Sequence, residues 1–179
     1  MDHQKIAADI KKNFTGFSPD TISAVYPDEL HLKVGLKDYY NTCMAAHKAL
    51  TSPVMMMFAS DEHRIHNKFL LSCVFLDSKN GVWVKIDTDV PGENPSFMSL
   101  AKEIYSSGLF EREIFEMFGI VPEGHPDPRR LALHDEVWPS GNYPLRKNIS
   151  VVSGPLGEYT FGRVEGDGIF ELPVGPVHA

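Results

Sequence analysis

Cysteine is scarce in this chain: only Cys43 and Cys73 occur in 179 residues, thirty positions apart. That spacing excludes a CxxC redox or zinc pair, and two thiols exclude any cluster held by four cysteines of this chain. Buried free thiols are the reading that remains. Long apolar runs are missing too. The strongest stretch, Phe69 to Leu76, is bounded by Lys68 and falls well short of the ~18 residues a membrane helix needs. Positive charge is in deficit, with 17 Lys+Arg against 24 Asp+Glu and a net charge of -7. Nucleic-acid binding requires clustered cations to neutralise phosphate, so this balance argues against it. No GxGxxG, P-loop, GxSxG or HExxH pattern occurs, which leaves nucleotide binding and the common hydrolase mechanisms unsupported. The N-terminus, Met1-Asp2-His3-Gln4-Lys5, has no apolar stretch of the signal-peptide kind, and a cytoplasmic location is expected.

What is present suits a globular chain. The length corresponds to about one domain with some chain left over, and 42% hydrophobic residues suffice for a core without disulfides or metals. Residues 120–179 hold 8 of the 13 prolines and 8 of the 14 glycines. Proline removes an amide donor and glycine weakens regular elements, so this third is predicted to be mostly irregular. Residues 1–119 are left to carry the regular core.

Within that part, Ile6, Ile10 and Phe14 share a helical face after Asp2 as N-cap, and Gly16 ends the helix. Residues 23–26 and 30–34 read as strands around the Pro27-Asp28 turn. Leu36, Cys43, Ala46 and Leu50 recur at helical spacing, with Lys37, Asp38 and Lys48 toward solvent. The apolar run Val54 to Ala59 suits a strand buried on both faces. Phe69–Leu76 and Val82–Ile86 form a hairpin across Asp77-Ser78-Lys79-Asn80-Gly81, which ends in the Asn-Gly turn signal. Ser96 is placed as the N-cap of a helix over Phe97–Tyr105, and a second helix, Leu109–Met117, stops at Gly119. The mixture lacks a regular βα alternation. It predicts an α+β fold of two layers, a mixed or mostly antiparallel sheet with helices on one face, followed by a long irregular C-terminal segment.

Three clusters could carry chemistry. Glu113 and Glu116 are three apart, which allows a carboxylate pair for acid–base or metal work. The plainer reading pairs these acids and Glu111 with arginines. In Gly124-His125-Pro126-Asp127-Pro128-Arg129-Arg130, two prolines on alternate residues stiffen an extended backbone. His125 and Asp127 could ligate a metal, and the arginines could bind an anion. The default is instead an Arg–Glu network locking this loop to the preceding helix. His63 and His66, flanked by Asp61 and Glu62, are expected in a solvated loop.

The run Phe110-Glu111-Arg112-Glu113-Ile114-Phe115-Glu116-Met117-Phe118-Gly119-Ile120, the loop Gly124–Arg130 and the segment Tyr143-Pro144-Leu145-Arg146-Lys147 together resemble a known family. It is the 30-kDa-type subunit of the proton-pumping NADH:quinone oxidoreductases, respiratory complex I, and the homologous domain of membrane-bound nickel–iron hydrogenases. Glu116 stands where the family usually has aspartate, Pro128 where leucine is usual, and Asn148 where aspartate commonly follows. The resemblance implies a non-catalytic assembly domain over residues 1–150, without a cofactor of its own. Its partners would be the hydrogenase large-subunit module, a small iron–sulfur subunit and the membrane arm. Assembled, it would be peripheral on the cytoplasmic face of the inner membrane. Glu111, Arg112, Glu113, Gly119, His125, Asp127, Arg129, Arg130, Arg146 and Lys147 would then form a loop–helix junction and docking surface. On that reading Arg129→Ala or Arg146→Ala leaves the domain folded but impairs assembly.

The tail from Val164 to Ala179, ending Gly175-Pro176-Val177-His178-Ala179, resembles the junction of formate-hydrogenlyase-type large subunits. It implies that residues 151–179 link to a missing catalytic module whose CxxC pairs would hold nickel and iron, with His178 near the active-site or quinone cavity. The alternatives are a stand-alone 30-kDa-type subunit of NADH:quinone oxidoreductase, a metal enzyme using Glu113, Glu116, His125 and Asp127, and an anion-binding module using Arg129 and Arg130.

Overall fold

The computed structural model describes residues 3–13, 21–23, 26–134, 138–147, 165–170 and 172. Along the chain come α1 (His3–Asn13), β1 (Thr21–Ser23), β2 (Glu29–Lys33), α2 (Leu36–Leu50), β3 (Met56–Asp61) and the one-turn α3 (His63–His66). The long strands β4 (Lys68–Asp77) and β5 (Val82–Pro91) follow, then β6 (Ser96–Met98), a 3-10 turn (Tyr105–Ser107), α4 (Gly108–Phe118) and β7 (Val121–Glu123). Five strands make one sheet in the order β1-β2-β5-β4-β3; only the β2–β5 pair in it is parallel. Strands β6 and β7 form a separate parallel pair. The expected mixed-sheet α+β class therefore holds.

The β4–β5 hairpin closes as its turn residues require. Asp77 Oδ1 accepts the amides of Lys79 and Asn80, Oδ2 accepts Asn80 Nδ2, and Gly81 takes φ +65°. Register then aligns Leu32, Ile86, Cys73 and Met57 in one row across four strands, every member buried. Tyr39, Cys43 and Ala46 of α2 and Ile6 and Ile10 of α1 join the same core, covering one face of the sheet. Both cysteines are free and buried, as expected. Asp2, Phe14 and Gly16, invoked for the start and end of α1, lie outside the described residues.

The first strand lies at Thr21–Ser23, with Tyr26 outside it, and residues 63–66 form a helical turn; two further elements differ from expectation more deeply. The run Val54–Ala59 is not buried on both faces: it enters the edge strand β3, with Met56 and Phe58 exposed and Met57 inside. Met55 N donates to Val74 O while Met56 also stands opposite Val74, so two residues face one in a bulge. The exposed positions Met56 and Phe58 are themselves apolar, so no polar–apolar alternation marks the strand as half-exposed. The helix expected over Phe97–Tyr105 is absent. Phe97 is a strand residue paired with Pro122, and the following turn spends its polar groups on a side chain of α4 rather than on a helical ladder.

Candidate functional site

Helix α4 stands between two irregular segments and binds each through a different side. Toward residues 99–107 it presents Glu111, whose side chain has no exposed surface. The carboxylate accepts Ser99 Oγ at 2.5 Å, Leu100 N at 2.7 Å and Ser107 Oγ at 2.9 Å. Burial pushes its pKa up, and these donors offset only part of that cost. His125 Nε2 is 3.9 Å from the same carboxylate but donates to Gly108 O at 3.1 Å, while its Nδ1 accepts Asp127 N at 3.0 Å. This pattern assigns a neutral ring with the proton on Nε2, and leaves neither nitrogen for a metal.

Toward residues 124–147 the helix presents Arg112 and Glu116. Arg112 donates to Arg129 O at 2.8 Å and Arg130 O at 2.6 Å, and reaches Asp127 at 3.5 Å. Glu116 accepts Ala132 N at 2.9 Å and Leu133 N at 2.5 Å. Arg129 grips Asp127 bidentately at 2.7 and 2.8 Å, holding that carboxyl well below the usual range, and Arg130 donates to Trp138 O at 2.9 Å. The loop is thus locked to the helix as expected, but not by Arg–Glu pairs. A proline-bearing extended loop has backbone donors and acceptors with no strand beside them, and the helix's charged side chains take the place of that strand.

The last segment, residues 138–147, crosses to the sheet. Leu145 N donates to Met117 O, and Gly119 ends α4 at φ +70° against the Tyr143 ring, where a Cβ would collide. Arg146 lies over the rings of Phe69 (5.2 Å) and Tyr143 (4.8 Å) and donates to Phe118 O at 2.6 Å. Since Phe69 belongs to the core, Arg146 serves the fold, and Arg146→Ala is expected to loosen the domain itself, contrary to the expectation from sequence. Asp61, at the end of β3, accepts Lys147 N at 2.7 Å and His63 N at 2.7 Å, and its carbonyl accepts Lys147 Nζ at 3.1 Å. Burial alone would raise the Asp61 pKa. The amides of Lys147 and His63 outweigh it and hold the carboxyl low. Asp61 and His63 are therefore buried fastenings rather than parts of a solvated loop.

The candidate residues of α4 and the 124–130 loop do not converge on one open site; a wider depression of about 440 Å³ lies apart from them, against His47, Thr51 and Tyr105. Glu113 is exposed while Glu116 is buried and bound to amides, so the two do not form a pair. A cavity beside Glu116, Arg130 and Trp138 measures about 90 Å³, enough for water but below the ~300 Å³ of an ordinary ligand site. Among the described residues no three His, Cys, Asp or Glu side chains converge as metal ligands. Cys43 and Cys73 are both free and buried in the core, and two thiols do not fit a four-thiolate nickel–iron centre. His178 lies outside the described residues.

Residues 33–154 match the respiratory-chain NADH dehydrogenase 30-kDa subunit family. The chain belongs to that family. Among curated relatives, formate hydrogenlyase subunit 5 of Escherichia coli is 31% identical over 52% of this chain and 16% of its own length. Hydrogenase-4 component G of the same organism is 28% identical over 69% and 23%, and the membrane-bound hydrogenase subunit beta of Pyrococcus furiosus is 43% identical over 48% and 47%. The chain thus spans less than half the length of each of these relatives. In fold it resembles a chain of the membrane-bound sulfane sulfur reductase, an archaeal respiratory membrane complex, with a TM-score of 0.66 at 17% identity, covering 85% of this chain and 88% of that one.

The family match spans the loop–helix junction, whose residue types were readable from sequence. Asp61, Ser99, Ser107 and Phe69 were not. Asp61 lies 86 positions from Lys147, and Ser99 lies twelve from Glu111 across a change of direction in the chain. The one local hint was an acid beside nearby donors, Asp61 with His63.

Proposed function

We propose that this chain is an assembly domain of a membrane-associated oxidoreductase complex of the energy-converting hydrogenase kind, and that it does no chemistry itself. The observation that carries this reading is the commitment of the junction's charged groups. Glu111, Arg112, Glu116, His125 and Asp127 are all engaged with backbone or with each other, which shapes a surface rather than a reaction site. Residues 1–150 form the domain, and 151–179 lead into a large-subunit module that holds the nickel–iron centre. The small iron–sulfur subunit and membrane arm complete the assembly on the cytoplasmic face. No helix among the described residues is long and apolar enough to cross a membrane, in keeping with a peripheral position.

A second reading has its own support. The stretch matched in the Pyrococcus protein is 48% of this chain and 47% of that protein, so the two are of nearly equal length. A free-standing subunit of about this size is therefore the alternative. Isolation of the native gene product through an affinity tag separates the readings. A polypeptide far heavier than 20 kDa carrying two CxxC pairs is expected for the fused form, and one near 20.0 kDa would establish the free-standing one. Purification without any other oxidoreductase subunit overturns both.

A further inference from the structure

The clasp between Asp61 and Lys147 brings two exposed segments together. Arg64 of α3 donates to Lys147 O at 3.3 Å, so α3 and the end of the 138–147 segment lie side by side. Two aliphatic side chains flank the contact and stay in solvent: Ile65 is 78% exposed and Leu145 50%. Around them stand Arg64 and Lys147. Each has a carbonyl as its hydrogen-bond partner, and no ion pair with a carboxylate forms at either among the described residues. Two acids stand close by: Asp61 is buried and occupied by amides, and Glu62 faces Lys68 at 3.7 Å. A chain of net charge -7 thus displays, beside an apolar pair, two exposed cations that form no ion pair among the described residues.

We propose that this patch is an interaction surface for an acidic protein face with an apolar recess on a partner subunit. The proposal rests on the reading of the chain as part of a complex. Charge complementarity selects the occupant. A second copy docked through the same patch would set like charges against each other. An anionic membrane surface is ordinarily held by about 4–8 clustered cations, more than this patch offers. Ile65 and Leu145 fill the recess as anchors, and Arg64 and Lys147 steer and register them.

The test uses the full native gene product in its own complex, with a photo-cross-linking residue placed at position 65. Cross-links to a partner-subunit peptide rich in Asp or Glu are expected. Arg64→Glu with Ile65→Asp should lower the assembled fraction about tenfold or more; because Arg64 also donates to Lys147 O, Ile65→Asp alone, at a side chain 78% exposed, is the variant expected to weaken assembly with an unchanged melting curve. If Arg64→Glu alone is used, the same direction with a smaller loss is expected. Full assembly of the double variant overturns the proposal, as do cross-links to lipid or to a second copy, or Arg64-dependent binding to phosphatidylglycerol vesicles. Wild-type protein that purifies with no oxidoreductase subunit would instead overturn the underlying reading of the chain.

Discussion

The sheet body, residues 26–98, and the junction, residues 99–147, solve the same problem by opposite means. In the body, backbone groups pair with other backbone groups along ladders, and apolar rows such as Leu32–Ile86–Cys73–Met57 fill the space between layers. In the junction, many backbone groups pair with charged side chains: Leu100 N with Glu111, Arg129 O with Arg112, Ala132 N with Glu116, Phe118 O with Arg146 and Lys147 N with Asp61. A ladder shares its load over many equivalent bonds. A side-chain bracket concentrates it, so one substitution strips several partners at once.

The sharpest way to break this contrast is Glu111→Ala, which leaves Ser99 Oγ, Leu100 N and Ser107 Oγ buried without their acceptor. A loss of about 3 kcal/mol is expected. That corresponds to a fall in Tm of about 6–12 °C, read by calorimetry. A fall no larger than that of an exposed control such as Met56→Thr would mean the bracket bears little load.

Glu116→Ala should act more locally. Amide exchange at Ala132 and Leu133 is expected to quicken by roughly thirtyfold, a cost of about 2 kcal/mol, while the β4 amides keep their protection. Equal acceleration in β4 would show that junction and body open as one unit.

The smallest effect is in pH. The Glu111 pKa is raised by burial, so its contribution is fully present below its ordinary 4.5 and declines as pH rises through the folded value. Asp61 is held low, so its contribution is present above its ordinary 3.8 and is lost as pH falls through the folded value. Urea titrations across a pH range of about 2–8 should show Glu111→Gln abolishing the first slope and Asp61→Asn the second. Matching slopes in both variants would contradict the assignment.

Legibility in the sequence divides along the same line. The β4–β5 hairpin, α2 and the end of α4 at Gly119 were readable because period and turn chemistry are local properties. The β3 edge reads from sequence as a two-faced strand, since its exposed face also carries apolar side chains, Met56 and Phe58. The helix expected over Phe97–Tyr105 failed because Glu111, eleven residues on, claims the Leu100 amide. In the junction, residue types announced a charged lock, yet the partners of Glu116 and Arg112 are backbone atoms, which no residue code distinguishes. Asp61 stayed hidden because its partner is 86 positions away.

That separation bears on the order in which the molecule becomes native. From the unfolded chain, closing 86 residues would cost on the order of 4 kcal/mol in chain entropy; packing α4 on β3 first leaves only the 28 residues between Phe118 and Arg146, on the order of 3 kcal/mol, with few bonds to offset it. The hairpin turn is only a few residues long and meets little of this cost. Phe69, Phe118 and Asp61 must already be in place before Arg146 and Lys147 have anything to grip. The end of the junction, residues 138–147, is therefore expected to condense last and open first, and a partner that clamps it would act on folding as much as on assembly.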